Sequence, residues 1–339
     1  MATFSRIVGQ QQSLRILRRA IADGRLHHAL LFHGPEAVGK RTVALAVAAA
    51  LNCTHVKEAD ACGRCVACSR IDRGIHPDVA LITLEKTVIP IDAIRRLRQE
   101  AACRPFEGRR RVFILDPADR MSPDAQNALL KTLEEPSPSS NLILVTTRPM
   151  HLLPTTRSRC QSMAFGTLPA AAMAPHLRER RGLSEIDALR VARLSGGRLG
   201  AAMSLDLGEH DAAFDLMTGI LDAVAGGAAG RVPDTVESFG GDTESIERSL
   251  TGLAVIVRDL IVLAAGAEPG TLVHAGHEEK LHALARRLAP GPPHHADIDA
   301  LLGIASRVDI ARTDLARNVN RKLLLETLLF DIGVRRAAP

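Results

Sequence analysis

Trp and Tyr are absent from the 339 residues, and Phe occurs only eight times. The core must therefore be built from Leu, Ile, Val and Ala, a palette that favours close-packed helices. Base-stacking platforms for nucleic acid need aromatic faces, so that mode of binding is not expected. Long apolar runs are lacking too. The longest, Val43–Leu51, falls well short of the roughly 20 residues that cross a bilayer. The apolar stretch near Leu253 is interrupted by Arg258 and Asp259. The N-terminus, "MATFSRIVGQQQ", has no apolar h-region of a secretory leader. A cytoplasmic location and no membrane partner are expected. The charge excess is small, +5, compatible with nucleic acid without specifying it.

Hydrophobic residues make up 46% of the chain, enough for a sizeable core. The length suggests about two or three domains. In the first half, four short apolar runs read as buried parallel strands: "HALLFH" from His28, "DVALITL" from Asp78, "RVFILD" from Arg111 and "LILVTT" from Leu142. Helical stretches separate them. Ala125, Leu129, Leu130 and Leu133 form one apolar stripe, and Ile94, Leu97 and Ala101 another. This alternation predicts an α/β domain with a parallel sheet. Beyond about Gly166 the strand signals fade into short helices with a stop at Gly196–Gly197. A break is predicted from Ala225 ("AGGAAGRVPD"), a helical bundle from Thr243, and a loop within it from Ala289 to His295.

The first strand runs into "HGPEAVGKRT" and then a strong helix former. Gly34, Gly39 and Lys40 fit the phosphate-binding loop, in which backbone N–H groups and a lysine face a phosphate. The next position normally holds magnesium through a hydroxyl. Here it is Arg41, which has no lone pair to offer. Thr42 follows, but one helical step turns it about 100° away. Asp116 ends a buried strand where a second magnesium contact is expected, yet its neighbour is Pro117, which cannot act as a base. Asp119 is displaced. Two parts of a hydrolytic apparatus are missing; nucleotide binding, with or without Mg²⁺, stays open because Lys40 and the loop remain.

Cys53, Cys62, Cys65 and Cys68 are spaced C-x8-C-x2-C-x2-C. Two tight C-x2-C steps suit a four-thiolate tetrahedral zinc site, and a reducing cytosol argues against disulfides. Such a site is closed and structural. His55 is a minor alternative ligand. Cys103 and Cys160 lie outside the cluster.

"NALLKTLEEPSPSSNLILVTTRP", "LLPTTRSRCQ" and "IVGQQQSLRILRRAIADGRLHHALLFHGP" closely resemble the clamp-loader subunits of bacterial DNA polymerase III, and the four cysteines match that family's zinc module. The resemblance is dense over residues 4 to about 205. It implies an AAA+ fold: a P-loop domain at 1–166 with a zinc module at 53–68, a small helical lid at 167–208 and a helical collar at 209–339. It implies a hetero-pentameric ring with gamma/tau ATPases and delta, an indirect role on the sliding clamp, and weak phosphate contacts to primer–template DNA. The "EGRRRVF" run from Glu107 suits either a solvated face or such a contact. The family contains ATPase motors and a non-hydrolysing, stator-like subunit; Arg41 and Pro117 place this chain with the latter. In the family, the arginine of Ser158-Arg159-Cys160 reaches a neighbour's ATP as a trans-acting finger. A surface arginine in a loop is the plainer alternative, and Arg157 is the less favoured candidate. Thr146 and Thr147 either touch a γ-phosphate or cap their strand. The lid's sensor arginine is displaced: Arg198 is nearby, but the matching position falls on Gly200 or Ala201.

Overall fold

Alternation of apolar side chains decides the architecture of the first half. In the computed structural model, which describes residues 3–84, 87–226, 236, 239–267, 271–291, 296–315, 317 and 319–334, five strands form one parallel sheet. They are β1 (Ala29–His33), β2 (Val79–Ile82), β3 (Arg111–Leu115), β4 (Ser140–Thr146) and β5 (Gln161–Ala164), in the order β2-β3-β4-β1-β5. Successive residues of a strand point to opposite faces. Leu30, Phe32, Ile114 and Val145 pack on one side against α1 (Gln11–Ala22) and α2 (Lys40–Asn52). Leu31, Phe113, Leu115 and Leu144 pack on the other against α4 (Ile91–Ala101) and α5 (Pro123–Glu134). A strand covered on both faces must be apolar throughout, which is why three of the strands stand out in the sequence.

Two strands depart from that reading. β2 is an edge strand with Leu81 exposed, not a buried one. β5 has no counterpart among the expected strands. As the opposite edge it keeps only Met163 buried, so "QSMA" carries no apolar run.

α3 (Val66–Asp72) follows the cysteine loop. After a short α6 (Pro154–Arg157) and β5 come α7 (Ala170–Arg181), α8 (Glu185–Leu194) and α9 (Leu199–Ser204), which pack on one another. Gly196 and Gly197 adopt positive φ of 60° and 76°, ending α8 at the expected glycine stop. The chain divides into two units, Met1–Ser204 and Leu205–Pro339.

The second unit is all-helical: α10 (Leu207–Ala225), α11 (Thr243–Ala264), α12 (Glu278–Leu288), α13 (Ile298–Leu315) and α14 (Arg321–Val334). Phe214, Leu221, Leu253, Leu260, Leu284 and Leu329 belong to its core. Most of the break expected from Ala225, and residues 292–295 of the expected loop, fall outside the described residues. Among the described residues no helix is long and apolar enough to cross a membrane.

One acid staples this unit. Asp259 is fully buried in α11 and accepts the His274 ring N–H at 2.9 Å and the backbone N–H groups of Val273 and His274. Burial opposes its charge, but these donors outweigh it and hold the carboxyl below its ordinary value. A depressed carboxyl contributes stability above its unfolded value and loses it as pH falls through the folded one. Asparagine removes the charge these buried donors converge on and turns an amide N–H toward one of them, and an unsatisfied buried donor costs about 1–3 kcal/mol. Asp259→Asn should therefore lower the urea midpoint at neutral pH, with the gap to wild type closing below about pH 4. An unchanged midpoint at pH 7 would refute the staple.

Candidate nucleotide pocket, cysteine site and arginine loop

β1 delivers the chain to the phosphate loop, and the turn depends on glycine. Gly34 has φ of 142°, and a Cβ there would sit 2.0 Å from the Phe165 carbonyl oxygen. Gly39, at φ of 96°, starts α2. The loop borders a cavity of about 590 Å³ lined by Lys40, Thr42, Asp116, Thr147 and Gly200, among others.

The polar groups around this cavity are engaged with one another. Lys40 Nζ donates to the carbonyls of Gly34 (2.7 Å) and Pro35 (2.5 Å). Burial lowers its pKa, against the opposing pull of Asp116, Glu36 and Asp119. Arg41 Nε donates to Asp116 Oδ2 at 2.5 Å. The side chain at the hydroxyl position thus holds the acid that would hold the metal. Magnesium needs oxygen donors in an octahedron. A guanidinium on Asp116 offers none and brings a competing charge, so this residue set does not fit Mg²⁺. Thr42 lines the cavity as an exposed residue. Asp119, the remaining candidate base, accepts the Thr146 hydroxyl at 2.5 Å, and Thr146 in turn receives the Arg148 N–H. Thr147 lines the cavity from an exposed position.

The start of α9 meets the loop through backbone. Gly200 N–H donates to the Ala37 carbonyl at 2.8 Å, and a Cβ on Gly200 would meet that oxygen at 2.9 Å. Arg198 Nε instead bonds the Ser195 carbonyl in its own turn. Gln10 links the phosphate loop to the segment after β5: its amide donates to the Gly166 carbonyl (2.7 Å) and the Val38 carbonyl (3.4 Å), and its Oε1 accepts from Gly166 N–H. No sequence signal pointed to Gln10, because a glutamine's role here depends on residues 156 positions away. The sequence marked Arg41 and Asp116 separately but did not pair them; the fold brings them together.

The cysteine site is compact. Cys53, Cys62, Cys65 and Cys68 bring their sulfurs within 4.8 Å of one another, forming a set that could hold a metal ion. The Cys53 and Cys65 sulfurs are 3.9 Å apart. Tetrahedral ligation with metal–sulfur bonds of about 2.3 Å needs sulfurs roughly 3.8 Å apart. Backbone N–H groups of His55 and Cys62 donate to Cys53 Sγ, and that of Cys68 to Cys65 Sγ, as thiolates require. Four sulfurs this close cannot ionise alike. Burial and the neighbouring Cys65 push Cys68 up; at Cys65, burial is outweighed by the Cys68 N–H, the Thr54 hydroxyl and N–H, and the Cys68 thiol, which bring it to about 5. A dication removes that conflict. The His55 ring bonds the Thr54 hydroxyl. The module also grips the N-terminus: Asp60 accepts the N–H groups of Phe4 and Ser5, each at 2.8 Å.

Arg159 follows α6. Its Nη2 pairs with Glu134 Oε1 at 2.6 Å and its Nη1 donates to the Thr155 carbonyl at 3.0 Å. Next to it Cys160 packs against the core, and burial pushes its thiol up to about 12, so it stays neutral. Gln126, buried in α5, holds the start of α6 by accepting the Leu153 N–H at 2.7 Å. Arg157 is directed to Met150. In the basic run, Arg110 donates to the Pro138 carbonyl, and Arg111 donates to the Arg104 carbonyl and pairs with Asp78. Arg109 is exposed. Much of that run is therefore spent on the chain itself.

Comparison with known proteins adds the following. Residues 9–169 match a sequence family described as "DNA polymerase III, delta subunit". A DNA polymerase III subunit delta' of Pseudomonas aeruginosa is 43% identical over 147 residues, covering 43% of this chain and 44% of that protein. A DNA polymerase III subunit gamma/tau of Mycobacterium tuberculosis is 33% identical over 288 residues, covering 77% of this chain and 50% of that protein. Among solved structures, a DNA polymerase III gamma subunit-related protein of Thermotoga maritima aligns over 95% of this chain and 99% of its own, at 18% identity and a TM-score of 0.42. The chain spans about half or less of the curated relatives named here.

Proposed function

We propose that the chain, whose residues 9–169 match a family described as "DNA polymerase III, delta subunit" and which is similar to delta' and gamma/tau subunits, is a delta-prime-like clamp-loader subunit that does not hydrolyse ATP. In this reading it joins gamma/tau ATPases and delta in a ring, helps load the sliding clamp onto primed DNA, and lends Arg159 to a neighbour's nucleotide site. The segments 1–166, 167–208 and 209–339 serve as P-loop domain, lid and collar, and the four cysteines hold a structural zinc. DNA contact is weak and goes through phosphates.

One observation carries the non-hydrolysing part of this reading: Arg41 bonded to Asp116 where a magnesium ion would be held. A motor needs that ion to neutralise charge developing on the γ-phosphate and a residue to orient the attacking water. Pro117 cannot orient water, and Asp119 is taken by Thr146. The isolated chain should release no phosphate from Mg²⁺·ATP above background. Turnover that disappears in Lys40→Ala would overturn the reading and favour an active gamma/tau-like motor. Arg159 lies in a surface loop with its side chain about one-third exposed, as a group serving another subunit requires.

A further inference from the structure

We propose that Glu134 is a positioning residue for Arg159, a role that rests on the finger reading above. Helix α5 supports the arginine loop at two places. Gln126 holds the N-terminal end of α6 at Leu153, and Glu134, the last residue of α5, holds the guanidinium just beyond its C-terminal end. The two supports are eight positions apart, about 12 Å along a helix. α6 itself is only four residues long and cannot orient a long side chain alone.

Arginine is rich in rotamers, and its guanidinium has five N–H donors in a fixed fork. Glu134 forms an ion pair with Nη2, and the Thr155 carbonyl accepts from Nη1. This confines the group while leaving part of the fork to meet phosphate oxygens. Ser158 adds a further tie, from its hydroxyl to the same Thr155 carbonyl. The carboxylate lowers the local positive charge, so its contribution is geometric: it holds the finger at one place before the neighbour's phosphate arrives. A glutamine keeps an oxygen that can reach Nη2; an alanine does not.

The test uses the complete complex reconstituted with four variants of this chain: Glu134→Ala, Glu134→Gln, Arg159→Ala and the double replacement Glu134→Ala/Arg159→Ala. Misplacing a reacting group by an ångström costs up to about 100-fold, so Glu134→Ala should lower kcat of the DNA-stimulated ATPase by about 10-fold, with KM for ATP unchanged. Glu134→Gln should retain most of the rate. The double variant should be no slower than Arg159→Ala, because Glu134 acts only through that arginine. An impaired Arg159→Ala beside a wild-type Glu134→Ala overturns the positioning role alone, as does a double variant whose losses multiply. A wild-type rate with Arg159→Ala overturns the finger reading as well.

Discussion

In the assembled complex, Arg159→Ala is expected to slow ATP hydrolysis at the site this chain serves by about 10³-fold or more, the range for a trans-acting arginine. The cause is electrostatic. In a site that excludes water, a guanidinium opposite the γ-phosphate stabilises charge that develops only in the transition state, so the loss falls on kcat rather than on nucleotide affinity. The same replacement should leave the isolated chain intact. The pair with Glu134 is partly solvent-exposed, and solvent-screened pairs contribute about 1 kcal/mol or less. Single-turnover hydrolysis in the complex, set beside the thermal transition of the chain alone, separates the two effects. Unimpaired single-turnover hydrolysis would mean that the exposed arginine is a surface residue.

Metal removal should produce the other large change. The purified chain is expected to carry a zinc ion, and Cys68→Ser, or a strong chelator, to release it. Structural zinc contributes roughly 10–16 kcal/mol of apparent binding energy in small zinc-dependent folds, and that energy is lost to folding when the ion leaves. The loop from Cys53 to α3 has little else to hold it: its small core cluster is built from Ala49, Ala61, Ile71 and the cysteines Cys53 and Cys68 themselves. Its loss should spread to the N-terminal segment, which Asp60 ties down through Phe4 and Ser5. Elemental analysis reads the metal, and limited proteolysis near Lys57 and Arg64 reads the loosening. A metal-free chain with wild-type protease resistance would show that the sulfurs are not a metal site.

Charge chemistry explains why the pocket was only half legible in advance. Arg41 after Lys40 announced that the magnesium hydroxyl was missing, and Pro117 announced that the neighbouring acid was missing. Neither indicated where the arginine would go. Its partner, Asp116, is 75 positions away and meets it only because β3 and α2 are brought together by the sheet order. Asp119 was a plausible displaced base until the fold set it against Thr146. Gly200 likewise gave no signal by itself: its significance is a backbone contact with Ala37.

Local physics was sufficient for the elements. Strands covered on both faces have to be apolar throughout, so β1, β3 and β4 could be read from runs of Leu, Ile, Val and Phe. Four cysteines at short spacing share a loop whatever the rest of the chain does. The edge strand β5, the grip of Glu134 on Arg159 and the occupation of Asp116 by Arg41 belong to the tertiary structure alone. Each is a meeting of residues far apart in the chain, one of whose partners has an ordinary surface composition, and only the packed sheet and helices bring such partners within bonding distance.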